Sequence, residues 1–460
     1  MCPGFRVEAD SIGEMNVPKD AYYGVQTMRA VENFPITGHP MHPEFIRMMA
    51  LIKRAAAMVN GESGELSEER ASAIRTACLE VEAGLLADSF LVDAIQGGAG
   101  TSANMNMNEV IANRATEIMG GRKGDYSFVH PNDHVNMCQS TNDVIPTAGK
   151  MTVYSMIGPL SEALSVLIEA LHAKAEEFRD VMKMGRTQLE DAVPMRLGQS
   201  FHAYASMVAR DRERILTTRQ EMQVVNLGAT AIGTGLNATP YYRDHILPAL
   251  SRISGIELRE ADDLFDATEN LDGFVALSAA VKTCAVDLSK MCNDLRLLGS
   301  GPKTGFGEIN LPPRQNGSSI MPGKVNPVIP EVVTQVVFNI VGNDTAIVMA
   351  AEAGQMELNA FEPVVFYNLF ESIETLTAAV GTLTENCIRG ITANADRCRS
   401  LLESSVGVIT AVCPYIGYKQ AADIAKEALR TNTPIRKLLL EKNLMDEDTI
   451  AKILDPATMA

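Results

Sequence analysis

Three stretches of the chain repeat apolar residues in alternating steps of four and three. The first runs Leu160, Leu164, Leu167, Leu171, Ala175, Phe178, Val181; the second Leu277, Val281, Cys284, Leu288, Met291, Leu295, Leu298; the third Leu369, Ile373, Leu376, Val380, Leu383, Cys387. That spacing keeps one face of an α-helix apolar over several turns, so the three stripes predict long helices packed side by side at small crossing angles. The 277–298 stretch also carries apolar residues off its stripe, which predicts burial on more than one side. Such a bundle has more apolar stripe than one chain readily hides, and homo-oligomerisation through it is expected. Residues 40–120 read as helices broken by loops, with GGAGTS at 97–102 as the clearest break. The stretch 121–147, rich in Gly, Pro, Asn and Asp, reads as an ordered loop. After about 395 the pattern shortens into smaller helices joined by Pro414 and Pro434. The expected organisation is an N-terminal domain at 1–140, a central helical bundle domain at 141–395 and a small C-terminal domain at 396–460.

Composition narrows the function. Of 460 residues, 46% are hydrophobic and 21% charged, the balance of a folded chain. With 40 Lys and Arg against 57 Asp and Glu the formal net charge is −17, which argues against nucleic acid and anionic membrane as partners. A small anionic substrate stays compatible, because a pocket can be locally cationic under an acidic exterior. The eight cysteines (Cys2, Cys78, Cys138, Cys284, Cys292, Cys387, Cys398, Cys413) form no CxxC pair, so reduced thiols are expected. The N-terminus lacks the basic-then-apolar order of a secretory signal, and no 18 consecutive apolar residues occur. The expectation is a cytoplasmic protein with no membrane span. There are only seven histidines, and Pro131 follows the first of the pair His130 and His134 in loop-like text. No metal and no cofactor is expected.

Four polar segments interrupt the helical text: Gly100-Thr101-Ser102-Ala103-Asn104, Gln139-Ser140-Thr141-Asn142-Asp143, Gly185-Arg186-Thr187-Gln188-Leu189, and Gly317 through Pro327. Their hydroxyl and amide side chains suit carboxylate binding by many hydrogen bonds, with Lys324 as a fixed cation. Helix capping explains any one of them as well. Four together, one with a lysine between glycine and asparagine, favour a site. Gly317 to Lys324 is not a phosphate loop, since five residues separate the glycines and Val325 stands where Ser or Thr is required. The glycines of GATAIGTGLN at 228–237 suit a turn or close helix approach better than a nucleotide cradle.

GSSIMPGKVNP at 317–327 resembles the signature loop of the aspartase/fumarase superfamily. DAYYGVQTMRAVENFPI, QGGAGTSANMNMNEV, HPNDHVNMCQSTND, MGRTQLEDAVP, NLGATAIGTGLN and AAEAGQMELNAFEP resemble further segments of it, in the same order. The resemblance implies an all-α fold, a central bundle of long helices flanked by two smaller mostly helical domains. It also implies a homotetramer whose active sites each draw on three subunits. The implied reaction is the reversible conversion of L-aspartate to fumarate and ammonia; hydration of fumarate, as in a fumarase, is the second reading, and a catalytically silent structural relative a remote third. Fumarases carry histidine in the segment GRTHLQDA, where this chain has Gln188, and commonly read SSND where it has Ser140-Thr141-Asn142-Asp143. In fumarase-like relatives that histidine pairs with a glutamate at the position of Glu331. By the same resemblance Ser318 is the general base, acting as its alkoxide. Thr101, Ser140, Thr141 and Ser319 are expected to hold the β-carboxylate, Lys324 and Asn326 the α-carboxylate, and Asn142, Thr187 and Gln188 to face the amino group. The 317–327 segment, with its glycines and Pro322, is expected to be a lid.

Overall fold

The computed structural model describes residues 4–454. A hairpin of β1 (Phe5–Asp10) and β2 (Gly13–Pro18) leads into α1 (Val25–Asn33), α2 (Pro43–Glu62), α3 (Glu68–Glu82) and α4 (Thr101–Ile118). Then come α5 (Thr141–Glu177), a second hairpin of β3 (Met182–Thr187) and β4 (Glu190–Arg196), α6 (Leu197–Arg219), α7 (Pro240–Ser254), the single turn α8 (Asp266–Glu269) and α9 (Asp272–Leu298). Helices α10 (Val328–Glu352) and α11 (Glu362–Asn386) complete the long elements. Five shorter ones follow: α12 (Ala395–Ser404), α13 (Cys413–Ile416), α14 (Tyr418–Thr431), α15 (Ile435–Glu441) and α16 (Glu447–Ile453). Every sheet among the described residues has two strands only, and the fold is all-α.

The predicted stripes are the buried faces. Leu160, Leu164, Leu167 and Leu171 are inaccessible, as are Leu277, Val281, Cys284, Leu288, Met291 and Leu295, and Leu369, Ile373, Leu376, Val380 and Leu383. The chain divides into two compact units, each built from three separate segments. The first comprises 1–161, 213–283 and 338–375; the second 162–212, 284–337 and 376–460. In the first, Phe366 packs against Phe45, Phe274 and Phe370 at ring separations of 5.4, 5.3 and 5.6 Å. Gly149 of α5 permits this packing, because a Cβ there would lie 2.2 Å from Phe366 Cζ. The second unit holds the rings of Phe178, Phe201 and Tyr204, packed edge to face in sequence. It also contains a C-terminal cluster of Val412, Ile424, Ala428, Ile435, Leu438, Leu439 and Ile450. None of the seven described cysteines forms a disulfide; Cys2 lies outside the described residues.

One local expectation needs correction, and one element was not anticipated. The stretch 121–147 is not loop throughout: 131–135 is a π-helical turn, and α5 begins at Thr141 and runs on through Pro146 and Pro159. Pro146 removes the N–H that would bond the Asn142 carbonyl, and Asn226 Nδ2 supplies the missing donor at 3.0 Å. The hairpin at 182–196 was not expected, because its strands follow without interruption from helical text. Finally, α5 and α10 each contain an 18-residue window of mean hydropathy 1.4, long and apolar enough to cross a membrane by that measure alone. An average over 18 positions tolerates an isolated ionic side chain such as Glu162 in α5, which a continuous apolar run does not.

Candidate active site

The expected site residues fall into two groups, one in each unit. In the first unit, Gly98, Ala99 and Gly100 adopt left-handed backbone (φ 85°, 55° and 83°) and turn the chain into α4, whose first residue is Thr101. Gly100 is needed there twice over, since a Cβ would also lie 2.9 Å from Ile145 Cγ2. Helix α5 opens on a capping box: Ser140 Oγ accepts the Asn142 N–H at 3.2 Å and Asp143 Oδ1 accepts the Ser140 N–H at 2.9 Å. Capping and site formation therefore coincide in this segment. The other Asp143 oxygen accepts the N–H groups of Gly228 and Thr230 at 3.0 and 3.1 Å. Asn142 Nδ2 donates to Ala231 O at 2.8 Å. The 228–237 segment is thus a turn wrapped on the start of α5, as its glycines suggested.

Beneath these helix starts lies a buried polar cluster that the sequence did not announce. Lys53 of α2 is fully buried, and its ammonium donates to Asn104 Oδ1 (2.7 Å), Asn136 Oδ1 (2.9 Å) and Gln139 Oε1 (2.9 Å). Asn104 Nδ2 in turn donates to Thr141 Oγ1 at 3.2 Å, which joins the start of α5 to the first turn of α4. Burial pushes the Lys53 ammonium down to about 7 and the Asp143 carboxyl up to about 6, with each group's charge opposing the shift of the other. The only available signal was a lysine inside the run MMALIKRAAAMVN, where a solvated cation would be out of place.

In the second unit, Thr187 pairs with Glu190 across a two-residue turn formed by Gln188 and Leu189. Both turn residues have positive φ (55° and 66°), the geometry of a type I′ hairpin without the glycine or asparagine that usually occupies it. Backbone held in that region by bulky residues is strained, and such strain concentrates at functional sites. The hairpin is anchored behind its tip, where Arg186 meets the fully buried Glu308 at 2.9 Å and covers the Phe306 ring at 4.2 Å. Lys183 lies 3.5 Å from the other oxygen of Glu308.

The 317–327 loop closes on itself at its base. Gly317 N donates to Lys324 O at 2.8 Å, and Asn326 Nδ2 donates to Gly317 O at 2.9 Å. A Cβ on Gly317 would lie 2.7 Å from that lysine carbonyl, so the closure requires glycine. Within the loop, Ser318 Oγ accepts two backbone N–H groups, from Ile320 at 3.2 Å and Met321 at 3.1 Å. Ser319 and Lys324 are exposed, while Asn326 is half-buried and spends one amide hydrogen on the closure. Glu331 faces Arg296 at 3.9 Å, so a cation stands beside the glutamate that fumarase-like proteins pair with histidine.

Comparison with known proteins identifies the family. The lyase family model matches residues 13–342, and the fumarase C C-terminus model matches 408–460. The aspartate ammonia-lyase of a Bacillus species is 52% identical over 454 residues, covering 99% of this chain and 97% of that one. The cobalt-bound crystal structure of fumarate lyase:delta crystallin from Brucella melitensis superposes with a TM-score of 0.97 at 48% identity, covering 99% of this chain and 100% of that one. A class II fumarase from Schistosoma mansoni superposes with a TM-score of 0.96 at 34% identity, covering 99% of both chains. The chain belongs to the aspartase/fumarase superfamily of lyases.

Proposed function

We propose that the protein is an aspartate ammonia-lyase, a carbon–nitrogen lyase that converts L-aspartate reversibly to fumarate and ammonia. The observation that carries the mechanism is Ser318 Oγ at the receiving end of two backbone N–H groups. Fixed amide dipoles stabilise an oxyanion, so the same arrangement favours the Ser318 alkoxide over the neutral hydroxyl. The alkoxide removes a proton from the carbon next to the β-carboxylate, and the electron pair moves into that carboxylate as an enediolate. Its collapse forms the double bond and expels ammonia.

Hydroxyl groups of Thr101, Ser140, Thr141 and Ser319 would hold the β-carboxylate, where negative charge grows. Lys324 and Asn326 would hold the α-carboxylate, and Asn142, Thr187 and Gln188 would face the amino group. An already protonated amine leaves with little acid help, whereas hydroxide needs a proton donor. Gln188, whose amide does not titrate near neutrality, therefore suits loss of ammonia better than loss of water. The 52% identity to an aspartate ammonia-lyase, against 34% to a fumarase, supports the same choice. Incubation with L-aspartate and, separately, with L-malate, followed by the ultraviolet absorbance of fumarate, tests it. Fumarate from aspartate alone is expected; fumarate from malate alone makes the protein a fumarase lacking its usual histidine.

The homotetramer belongs to the same proposal, with sites that draw on three subunits. One face of α10 supports it: Phe338, Val341, Val348 and Met349 recur at helical spacing and stay exposed in the single chain, Phe338 by 68% and Met349 by 67%. Phe338→Asp should shift the assembly to dimers or monomers in light scattering and abolish activity with it. A full-sized, active F338D oligomer would remove this face from the interface.

A further inference from the structure

An ammonium has three N–H bonds, and Lys53 places all three on the side-chain oxygens of Asn104, Asn136 and Gln139, at 2.7, 2.9 and 2.9 Å. A group that donates only, completely enclosed, dictates which way each amide faces. With its oxygen held by Lys53, Asn104 must present its NH2 to the other side, where it meets Thr141 Oγ1 at 3.2 Å. The same NH2 reaches Asn136 Oδ1 at 3.2 Å, and Asn108 Nδ2 donates to that oxygen as well. Asn136 Oδ1 is thus saturated with donors and offers no alternative orientation. An amide nitrogen cannot accept, so in this pair the Thr141 hydroxyl is the acceptor. Its own proton is left for a partner elsewhere. The remaining charged or titratable groups acting on Lys53 are Asp143 of α5 and the buried Cys78 thiol of α3.

We propose that Lys53 is a positioning residue: by fixing the Asn104 amide it obliges Thr141 Oγ1 to accept from behind and turns the Thr141 proton towards a substrate carboxylate. Lys53 touches no substrate and acts through two intermediaries. The inference rests on the placement of Thr141 in the substrate site. A carboxylate gains far more from a hydroxyl already committed to donating than from one free to rotate, because the preorganisation is complete before substrate arrives.

Asn104→Asp tests this with little change of shape. The new carboxylate pairs with Lys53 and adds one negative charge beside the Lys53–Asp143 pair, and it accepts where the amide donated. Thr141 then donates inwards and its proton is withdrawn from the substrate. For the N104D enzyme, kcat/KM for L-aspartate should fall roughly ten- to hundredfold, the worth of one hydrogen bond to a charged group. Thr141→Val should cost a similar factor, and the N104D/T141V double variant no more than T141V alone. T141S should restore activity, and N104D should impair the enzyme again in the T141S background. Lys53→Met should reproduce the N104D loss if it folds; N104D keeps the test independent of that. An unimpaired N104D enzyme, or a double variant whose losses multiply, overturns the orienting role while leaving Thr141 in the site. A T141V enzyme with normal kcat/KM overturns the placement of Thr141, and the inference with it.

Discussion

Ser318→Ala should reduce turnover of L-aspartate by at least roughly a thousandfold, within the 10²- to 10⁴-fold range expected for a positioned general base. The two N–H groups of Ile320 and Met321 remain in the S318A protein, with no oxygen to receive them. They sit on an exposed loop, so water satisfies them and the fold should not suffer. Circular dichroism, melting temperature and oligomer size should match those of the parent. Binding of fumarate should survive as well, because no carboxylate ligand has been removed. Near-normal kcat in S318A would take the base role away from this residue and leave the two amides as an ordinary loop turn.

Lys324→Met should act on the other kinetic constant. The lysine stands at the base of the 317–327 loop, where its carbonyl, rather than its ammonium, holds the loop closed through Gly317. The side chain is therefore removable without opening the loop. Loss of a charge-assisted hydrogen bond of about 1.5–3 kcal/mol should raise KM for aspartate roughly ten- to more than a hundredfold. The effect on kcat should be smaller, because the α-carboxylate carries full charge in both ground and transition state and binds them alike. An unchanged KM in K324M would exclude the lysine from the carboxylate role.

The helices were legible because their stripes are long. Leu277 through Leu295 recur over five turns, and no strand or loop reproduces that rhythm. The start of α5 was not, since Ser140, Asn142 and Pro146 are individually loop residues. What makes them helical is Asn226, eighty residues on, which bonds the carbonyl that Pro146 leaves open. The hairpin at 182–196 failed for a related reason: Gln188 and Leu189 adopt left-handed backbone without the residues that normally advertise it. Of the candidate site, the residues at helix starts and in the 317–327 loop stood out through their unusual polarity and the glycines between them. Lys53 and Glu308 did not, because their meaning comes only from burial against partners distant in sequence.

The interleaved segments of the two units also govern how the chain is made. The first unit lacks its third segment until Thr375 has left the ribosome, and the second requires everything from Leu376 onwards. The apolar faces of α5 and α9 are thus synthesised long before their full set of neighbours exists. Contacts of such long sequence separation form late and slowly, and they leave sticky intermediates in the meantime. Truncation after α9 should therefore yield no half-enzyme, only an aggregation-prone fragment that light scattering would reveal. Production of the full chain should depend on elongation rate and chaperone supply more steeply than its final stability would suggest.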